Sequence, residues 1–437
     1  MNSPRTVTLH PSPALPASTT GGGFYQRAIL QALEAMTLGC LRLELPDGTR
    51  RIFGQPDAPC QAGIRVIRPE FFKRCVLFGD VGFGEAYVDG DWETDDIAAV
   101  ISWFILNVEN APAMSGSRSR KFLINFLGWQ NRIRHLLRPN SPGVSPRNIR
   151  EHYDLGNDFY RLFLDRTMTY SSALFTNSTQ TLPEAQTAKY DRLCQQLQLK
   201  PGEHLLEIGS GWGGMALRAA RQYGCRVTTI TISQAQFDYA KTLFTEAGVA
   251  DRVEVKLMDY RDVTGKFDKI VSIEMLEAVG DAYLETYFAK CHEVLQPHGL
   301  LGVQMITCPD NRYDSLRKNV DWIQKHIFPG SLLLSVHRIN QALRRTGDLY
   351  LHDLKEMGLS YAETLRRWRT AFNQQLPQVR SLGFDDRFVR KWNYYLSYCE
   401  AAFAQRNITV VQAIYTRANN SALNPASSPC YCSYLTV

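Results

Sequence analysis

The feature that most constrains this chain is the run Leu205-Leu206-Glu207-Ile208-Gly209-Ser210-Gly211-Trp212-Gly213-Gly214, followed by Met215-Ala216-Leu217-Arg218-Ala219-Ala220-Arg221. An apolar strand with an acidic residue near its end runs into a glycine-dense turn, and the turn opens a helix. Glycine lacks a Cβ, so the backbone turns sharply there and approaches a ligand closely. The helix that follows offers unpaired N–H donors. In dinucleotide-binding proteins such a turn cradles a pyrophosphate. Here the spacing is G-x-G-x-G-G, with bulky Trp212 where a pyrophosphate needs room. A nucleoside without phosphates fits better, and S-adenosylmethionine is a ligand of that kind. A tight strand–helix turn that binds nothing is the plainer reading, and glycine spacing alone does not separate the two.

The surroundings decide in favour of a sheet with a ligand edge. From about 148 to 309 strand and helix patterns alternate, with strands expected at Leu205–Ile208, Arg226–Ile232, Val253–Leu257, Lys269–Ile273 and Leu300–Thr307 and helices such as Gln234–Ala247 and Ala282–Val294. Alternation of this kind implies a parallel sheet covered on both faces, with ligands bound beyond the carboxyl ends of its strands. Residues 310–417 read as mostly helical, a cover over that edge. Upstream, Phe24–Leu38 has helical spacing, Leu41–Leu45 and Arg51–Phe53 form a hairpin about Pro46-Asp47-Gly48, and Phe71–Phe78 and Ile97–Val108 read as helices. The fold class is therefore α/β with a smaller N-terminal α+β domain. The expected boundaries are a disordered 1–23, a domain over 24–113, a linker over 114–147, a larger domain over 148–420 and a tail over 421–437.

A length of 437 residues favours two domains, and 44% hydrophobic with 21% charged residues describes a folded chain. Net charge is +6, too small for a bulk polyanion binder. Basic charge is instead concentrated in 114–150, where Arg118, Arg120, Lys121, Arg132, Arg134, Arg138, Arg147 and Arg150 occur without one Asp or Glu, interleaved with Phe122, Phe126 and Trp129. An anionic membrane surface selects that composition, and a basic linker helix between domains explains it equally well. No nucleic-acid-binding motif accompanies the segment. The ten cysteines form no CxxC pair, which argues for reduced thiols and against a metal site. Met1–Thr20 lacks the apolar core of a signal peptide, and no apolar run reaches the ~18 residues that span a bilayer. A cytoplasmic protein, peripheral to the membrane, is the expectation.

The strand ends carry the chemistry. The second ends in Thr231-Ile232-Ser233-Gln234-Ala235-Gln236, the third in Met258-Asp259-Tyr260, and the fourth in Ser272-Ile273-Glu274-Met275-Leu276-Glu277-Ala278-Val279-Gly280. An acidic second-strand end would bind a ribose diol in a dehydrogenase; here Thr231 and Gln236 are available for that role. Asp259 suits the adenine amino group and Tyr260 the purine face. Taken together with Glu207, Gly209, Gly211, Gly213, Ile232 and Ile273, they describe a nucleoside site.

Further motifs lie upstream of the sheet: His152-Tyr153-Asp154-Leu155-Gly156-Asn157-Asp158-Phe159-Tyr160, then Met168-Thr169-Tyr170-Ser171-Ser172-Ala173. With Gly84-Glu85-Ala86-Tyr87-Val88-Asp89-Gly90-Asp91-Trp92-Glu93 and Tyr398-Cys399-Glu400-Ala401-Ala402-Phe403, they make most of the chain resemble the cyclopropane-fatty-acid synthases and their mycolic-acid and methyl-branching relatives. These are class I S-adenosylmethionine-dependent methyltransferases with a Rossmann-like sheet. The resemblance implies that Tyr170 and Ser171 touch the methionine part of the cofactor, that Gly209 and Gly211 form the turn beneath it, that Thr231 and Gln236 hold the ribose, and that Tyr260 stacks near adenine. It further implies that Glu277 and Tyr361 are the active-site glutamate and tyrosine, which in the family help to bind a bicarbonate ion serving as general base.

Departures from the family pattern fall around that base. Ser172 stands for the usual cysteine, Gln304 in Gly302-Val303-Gln304-Met305-Ile306-Thr307 stands for a histidine close to Ile306, and Leu276-Glu277-Ala278 replaces Phe-Glu-His. Glutamine hydrogen-bonds but carries no charge, so a bicarbonate at this place loses a cationic partner. The resemblance implies transfer of a one-carbon group to the double bond of an unsaturated phospholipid acyl chain at the membrane surface, giving a cyclopropane ring. A methyl- or methylene-branched product, which would call for a partner reductase, is the alternative, and a small-molecule methyltransferase the second. A homodimer stays open.

Overall fold

The computed structural model describes residues 23–108 and 155–423. The expectations for residues 1–22, for the basic segment, for His152–Asp154 and for Cys430 and Cys432 lie outside the described residues.

The N-terminal part is a four-stranded sheet, β1 (Cys40–Glu44), β2 (Arg50–Gly54), β3 (Gln61–Val66) and β4 (Trp92–Glu93), in the order β2-β1-β3-β4. The expected hairpin is present: β1 and β2 are antiparallel, with Asp47 Oδ1 accepting the Thr49 N–H at 2.9 Å in the turn. Three helices, Gly23–Glu34, Glu70–Val88 and Ile97–Leu106, accompany the sheet. The second runs a full ten residues beyond the expected Phe78, broken only at Gly79, whose φ of +60° glycine tolerates.

The larger sheet holds seven strands, β5 (His204–Ile208), β6 (Arg226–Thr231), β7 (Val253–Leu257), β8 (Phe267–Ile273), β9 (Leu295–Thr307), β10 (Leu349–Glu356) and β11 (Thr409–Arg417). Their order is β10-β11-β9-β8-β5-β6-β7. β5 to β9 are mutually parallel where they pair, as the alternation requires, and every expected strand appears within a few residues of its expected ends. The expectation for 310–417 needs correction. Helices dominate it, but β10 and β11 extend the sheet antiparallel beyond β9. The run Val410-Val411-Gln412-Ala413-Ile414 is the β-branched signal that the Arg, Trp and Tyr content of the region obscured.

The two parts are separate along the chain but share one core. The ring of Tyr87 lies 5.8 Å from that of Tyr394 in the Asp386–Ala404 helix, and Arg390 donates to the carbonyls of Tyr87 (2.7 Å) and Trp92 (3.0 Å). Glu85 accepts from Lys325 Nζ (2.6 Å) and His326 Nε2 (2.9 Å). Burial pushes the Glu85 carboxyl up, but these two donors outweigh it and hold it down at about 2. Gly84 sits where the helices touch: a Cβ there would lie 2.5 Å from the Trp322 ring and 2.7 Å from Tyr394. Gly84→Ala is therefore expected to destabilise the protein by ~1–3 kcal/mol, read as a lower urea midpoint. An unchanged midpoint would show that the helices part without cost.

Candidate active site

The carboxyl ends of β5, β6, β7 and β8 open into one cavity of about 380 Å³. Gly209 (φ +96°) and Gly211 (φ +48°) form its floor, both in conformations that favour glycine. A Cβ on Gly211 would meet no protein atom within 4 Å, so the space above it is free for a ligand. Gly213 is different. It is not on the cavity wall, and a Cβ there would lie 2.9 Å from the Phe244 ring, so its lack of a side chain serves helix packing. Trp212 is buried and donates from Nε1 to Asn157 Oδ1 (2.8 Å), which ties the glycine turn to the H-Y-D-L-x-N-D-F-Y segment.

The other expected cofactor residues converge on the same cavity. Thr231 Oγ1 donates to Gln236 Oε1 at 2.8 Å, and both line the wall with Ile232 and Ile273. Glu207 is buried, accepts from Thr229 Oγ1 (2.6 Å), and is pushed up to about 8 by burial. Tyr260 presents its ring to the cavity, edge-on to Tyr287 at 5.3 Å. Asp259 also lines it, but its two oxygens are taken by Arg261 Nε (2.8 Å) and Nη2 (2.6 Å). Burial would raise Asp259; the Arg261 donors outweigh that and keep it below the usual carboxylate range. Its first partner is thus the protein's own arginine, where the sequence suggested an adenine edge. Tyr170 and Ser171 lie on the opposite wall, with Tyr170 Oη 2.8 Å from Tyr395 Oη and Ser171 Oγ accepting from Lys189 Nζ at 2.7 Å.

The expected reaction residues divide into two sets. Glu277, Ile306 and Tyr361 line the cavity; Ser172 and Gln304 do not. Those two are fully buried behind a residue to which the sequence analysis gave no role, Glu274. Glu274 Oε1 accepts from the Ser172 N–H (2.8 Å) and Gln304 Nε2 (2.8 Å), and Oε2 accepts from Tyr361 Oη (2.9 Å). Its backbone is left-handed at φ +48°, an uncommon conformation for a side-chain-bearing residue and one typical of functional sites. Lys189, wholly buried nearby, is lowered by that burial to about 7, against the pull of Glu274, Asp165 and Glu207. Burial holds the Glu274 carboxyl above its ordinary value, although Gln304, Lys189, Ser172 and Tyr361 counter it. Glu277 has fewer partners: Oε1 accepts the Ile306 N–H at 2.5 Å, and Oε2 is buried without a hydrogen bond. Burial, followed by repulsion from Glu274, pushes Glu277 up to about 8. An acid immediately after an apolar parallel strand was the available sign for Glu274. Nothing local marks Lys189.

Residues 142–413 match the family described as mycolic acid cyclopropane synthetase. The chain belongs to that family. It is 38% identical over 384 residues to the tuberculostearic acid methyltransferase UfaA1 of Mycobacterium tuberculosis, covering 85% of this chain and 86% of that one. It is 35% identical over 378 residues to the cyclopropane-fatty-acyl-phospholipid synthase of Escherichia coli K12, covering 84% and 90%. Among solved structures it resembles the mycolic acid cyclopropane synthase CmaA1 complexed with SAH and CTAB, with TM-score 0.58 and 29% identity over 62% of this chain and 98% of that one. The protein is thus an S-adenosylmethionine-dependent methyltransferase that acts on lipid acyl chains.

The cavity of this family member suits that cofactor: the space above Gly211 is open to it, and Thr231 of β6, Gln236, and Tyr260 just beyond β7 border it. The donors around the place expected for bicarbonate are partly taken by the protein itself. Of Glu277 and Tyr361, which the family resemblance assigned to holding it, Tyr361 donates to the Glu274 carboxylate, as do Ser172 and Gln304 at the positions that depart from the family pattern. Among the described residues no cluster of His, Cys, Asp and Glu would hold a metal ion, and no helix is long and apolar enough to cross a membrane.

Two outcomes follow. Gly211→Asn fills the cavity floor with a residue that tolerates positive φ, so S-adenosylmethionine affinity by calorimetry is expected to fall by more than about tenfold while the thermal midpoint stays within a few degrees. Unchanged affinity would move the cofactor elsewhere. Between the ordinary glutamate value of 4.5 and about 8, folded Glu277 keeps a proton that the unfolded chain releases, so it lowers stability as pH rises through that window. Glu277→Gln is expected to stabilise the protein at pH 8 by ~1–3 kcal/mol in urea titrations and to have little effect at pH 4.5. Equal effects at both values would show that Glu277 ionises normally.

Proposed function

We propose that the protein methylates the double bond of an unsaturated phospholipid acyl chain and that Glu274 is the base that completes the reaction. The observation that carries this reading is the Glu274 carboxylate, gripped by Ser172, Gln304 and Tyr361 beside the cavity. When bound, S-adenosylmethionine supplies an electrophilic methyl group on a sulfonium. An isolated alkene is a poor nucleophile, so the protein's task is to exclude water, align the chain and stabilise the cation that forms. The apolar wall formed by Leu316, Ile323, Phe328, Leu332, Phe403 and Ile408 serves the first two needs. Glu274 and the faces of Tyr361 and Phe403, whose rings lie 4.5 Å apart, serve the third.

The cation then loses a proton to Glu274. Its carboxylate is bonded to the N–H of Ser172, next to the Tyr170-Ser171 strip that the family resemblance assigns to the methionine end. That placement favours removal of a proton from the transferred methyl rather than from a distant chain carbon. Direct loss closes a cyclopropane ring, the product we favour. The same loss after a hydride moves between chain carbons leaves an exocyclic methylene that a partner reductase would saturate. This second reading is favoured by the exchange of a small movable ion for a tethered carboxylate.

Incubation with S-adenosylmethionine and bilayers of unsaturated phospholipid tests both parts. Glu274→Gln is expected to lower turnover by ~10²–10⁴-fold with cofactor affinity retained. Proton NMR of the recovered acyl chains is expected to show ring protons well upfield. Vinyl signals without ring protons would select the methylene branch, and normal turnover in Glu274→Gln would remove the base assignment.

A further inference from the structure

A line of side chains leads from Glu274 away from the cavity, across β9 and β11, to the surface. Gln304 Nε2 donates to Glu274 Oε1 at 2.8 Å. Gln412 Nε2 donates to Gln304 Oε1 at 3.0 Å. Arg192, on the Leu182–Gln196 helix, donates from Nη1 to Gln412 Oε1 at 3.0 Å and from Nη2 to Asp353 Oδ2 on β10 at 2.5 Å. Gln304 and Gln412 are direct partners in the β9–β11 register, and both are fully buried between apolar neighbours, Val303 and Met305 on β9 and Val411 and Ala413 on β11. Asp353 is partly exposed.

The line has a direction. An amide has one donating and one accepting end, and either orientation fills the same volume. An arginine donates only and stays protonated. Gln412 must therefore turn its oxygen to Arg192, which leaves its NH₂ for the Gln304 oxygen, which in turn leaves the Gln304 NH₂ for Glu274. The second N–H of each amide agrees with this, reaching the carbonyls of Lys189 (3.2 Å) and Ser172 (3.3 Å). At the inner end two groups that can only donate, Gln304 Nε2 and the Ser172 N–H, meet Glu274 Oε1, and the Tyr361 hydroxyl meets Oε2. A carboxylate accepts from all three, whereas a carboxylic acid could place its proton only on Oε2 and would need the Tyr361 hydroxyl to turn from donor to acceptor.

We propose that Arg192 and Gln412 are positioning residues whose hydrogen-bond polarity favours the ionised form of Glu274 against the pull of burial and so readies it to take a proton. The proposal rests on the reading of Glu274 as base. The other groups that act on Glu274 are Lys189 and Tyr190 from the Leu182–Gln196 helix, Glu277 from the turn after β8, and Tyr361 from the Gly358–Gln374 helix. Lys189 favours the ionised form and Glu277 opposes it, and neither is altered in the variants below.

Gln412→Glu reverses the line at constant shape. Its carboxylate accepts from Arg192 and presents an acceptor to Gln304, which must then turn its NH₂ outward and its oxygen toward Glu274. The acid limb of the kcat/KM profile is expected to move up by at least about one pH unit. Carboxyl ¹³C NMR of the cofactor-free protein, with the Glu274 resonance assigned by its loss in Glu274→Gln, is expected to show the same displacement. Arg192→Met is expected to shift both in the same direction by less, and Arg192→Lys, still a donor and still charged, to restore them toward the parent. The Arg192 pair carries the test if Gln412→Glu does not fold. Profiles and carboxyl titrations unchanged in both Gln412→Glu and Arg192→Met would overturn the proposal. Full turnover in Glu274→Gln would instead remove the base reading, and the carboxyl titration would still report whether the line sets the charge of Glu274.

Discussion

A carboxylate buried in an apolar cavity is the constraint around which this site is organised. Removing such a charge from water costs several kcal/mol unless donors replace the lost solvent. Glu274 recovers part of that cost from a backbone N–H, an amide and a phenol, with Lys189 close by. Each donor comes from a different stretch of chain, so the sheet, the segment before it and the Gly358–Gln374 helix must all be in place before the acid is tolerated. A left-handed backbone at Glu274 is part of the same arrangement, since an ordinary strand continuation would carry the side chain elsewhere.

The surrounding carboxyls show how one cavity holds acids in unlike states. Glu274 is matched with donors, whereas Glu277, with a single backbone donor, is pushed up to about 8 and keeps its proton at neutral pH. Burial raises both acids, but their partners differ, which suits them to different work. The N-terminal part reaches the same cavity indirectly: the Trp322–His326 helix, held to it by Glu85 and Gly84, carries Ile323, which lines the wall.

Much of the fold was legible locally. Glycine spacing, β-branched runs and alternation located β5 to β9, because each signal depends on residues only a few positions apart. β10 and β11 were missed because their apolar pattern is short and lies within helical sequence. At the site, Tyr361, Glu277 and Ile306 were expected and line the cavity, while Ser172 and Gln304 were expected at the reacting atoms and stand one layer behind them. Gly213 and Asp259 were read as cofactor contacts, and the structure gives each a partner within the protein.

By itself the sequence determined the sheet, the position of the cofactor edge and the family, since these follow from periodicity, turn chemistry and contiguous motifs. Tertiary structure alone decided which groups surround Glu274. Glu274 follows Ile273 in the chain, but its significance depends on Ser172, 102 residues earlier, and Tyr361, 87 residues later. The direction of the amide line is likewise invisible in sequence, because it exists only where Arg192 meets Gln412, 220 residues away. Hydrogen-bond polarity is a property of groups in contact, and only the folded chain brings these into contact.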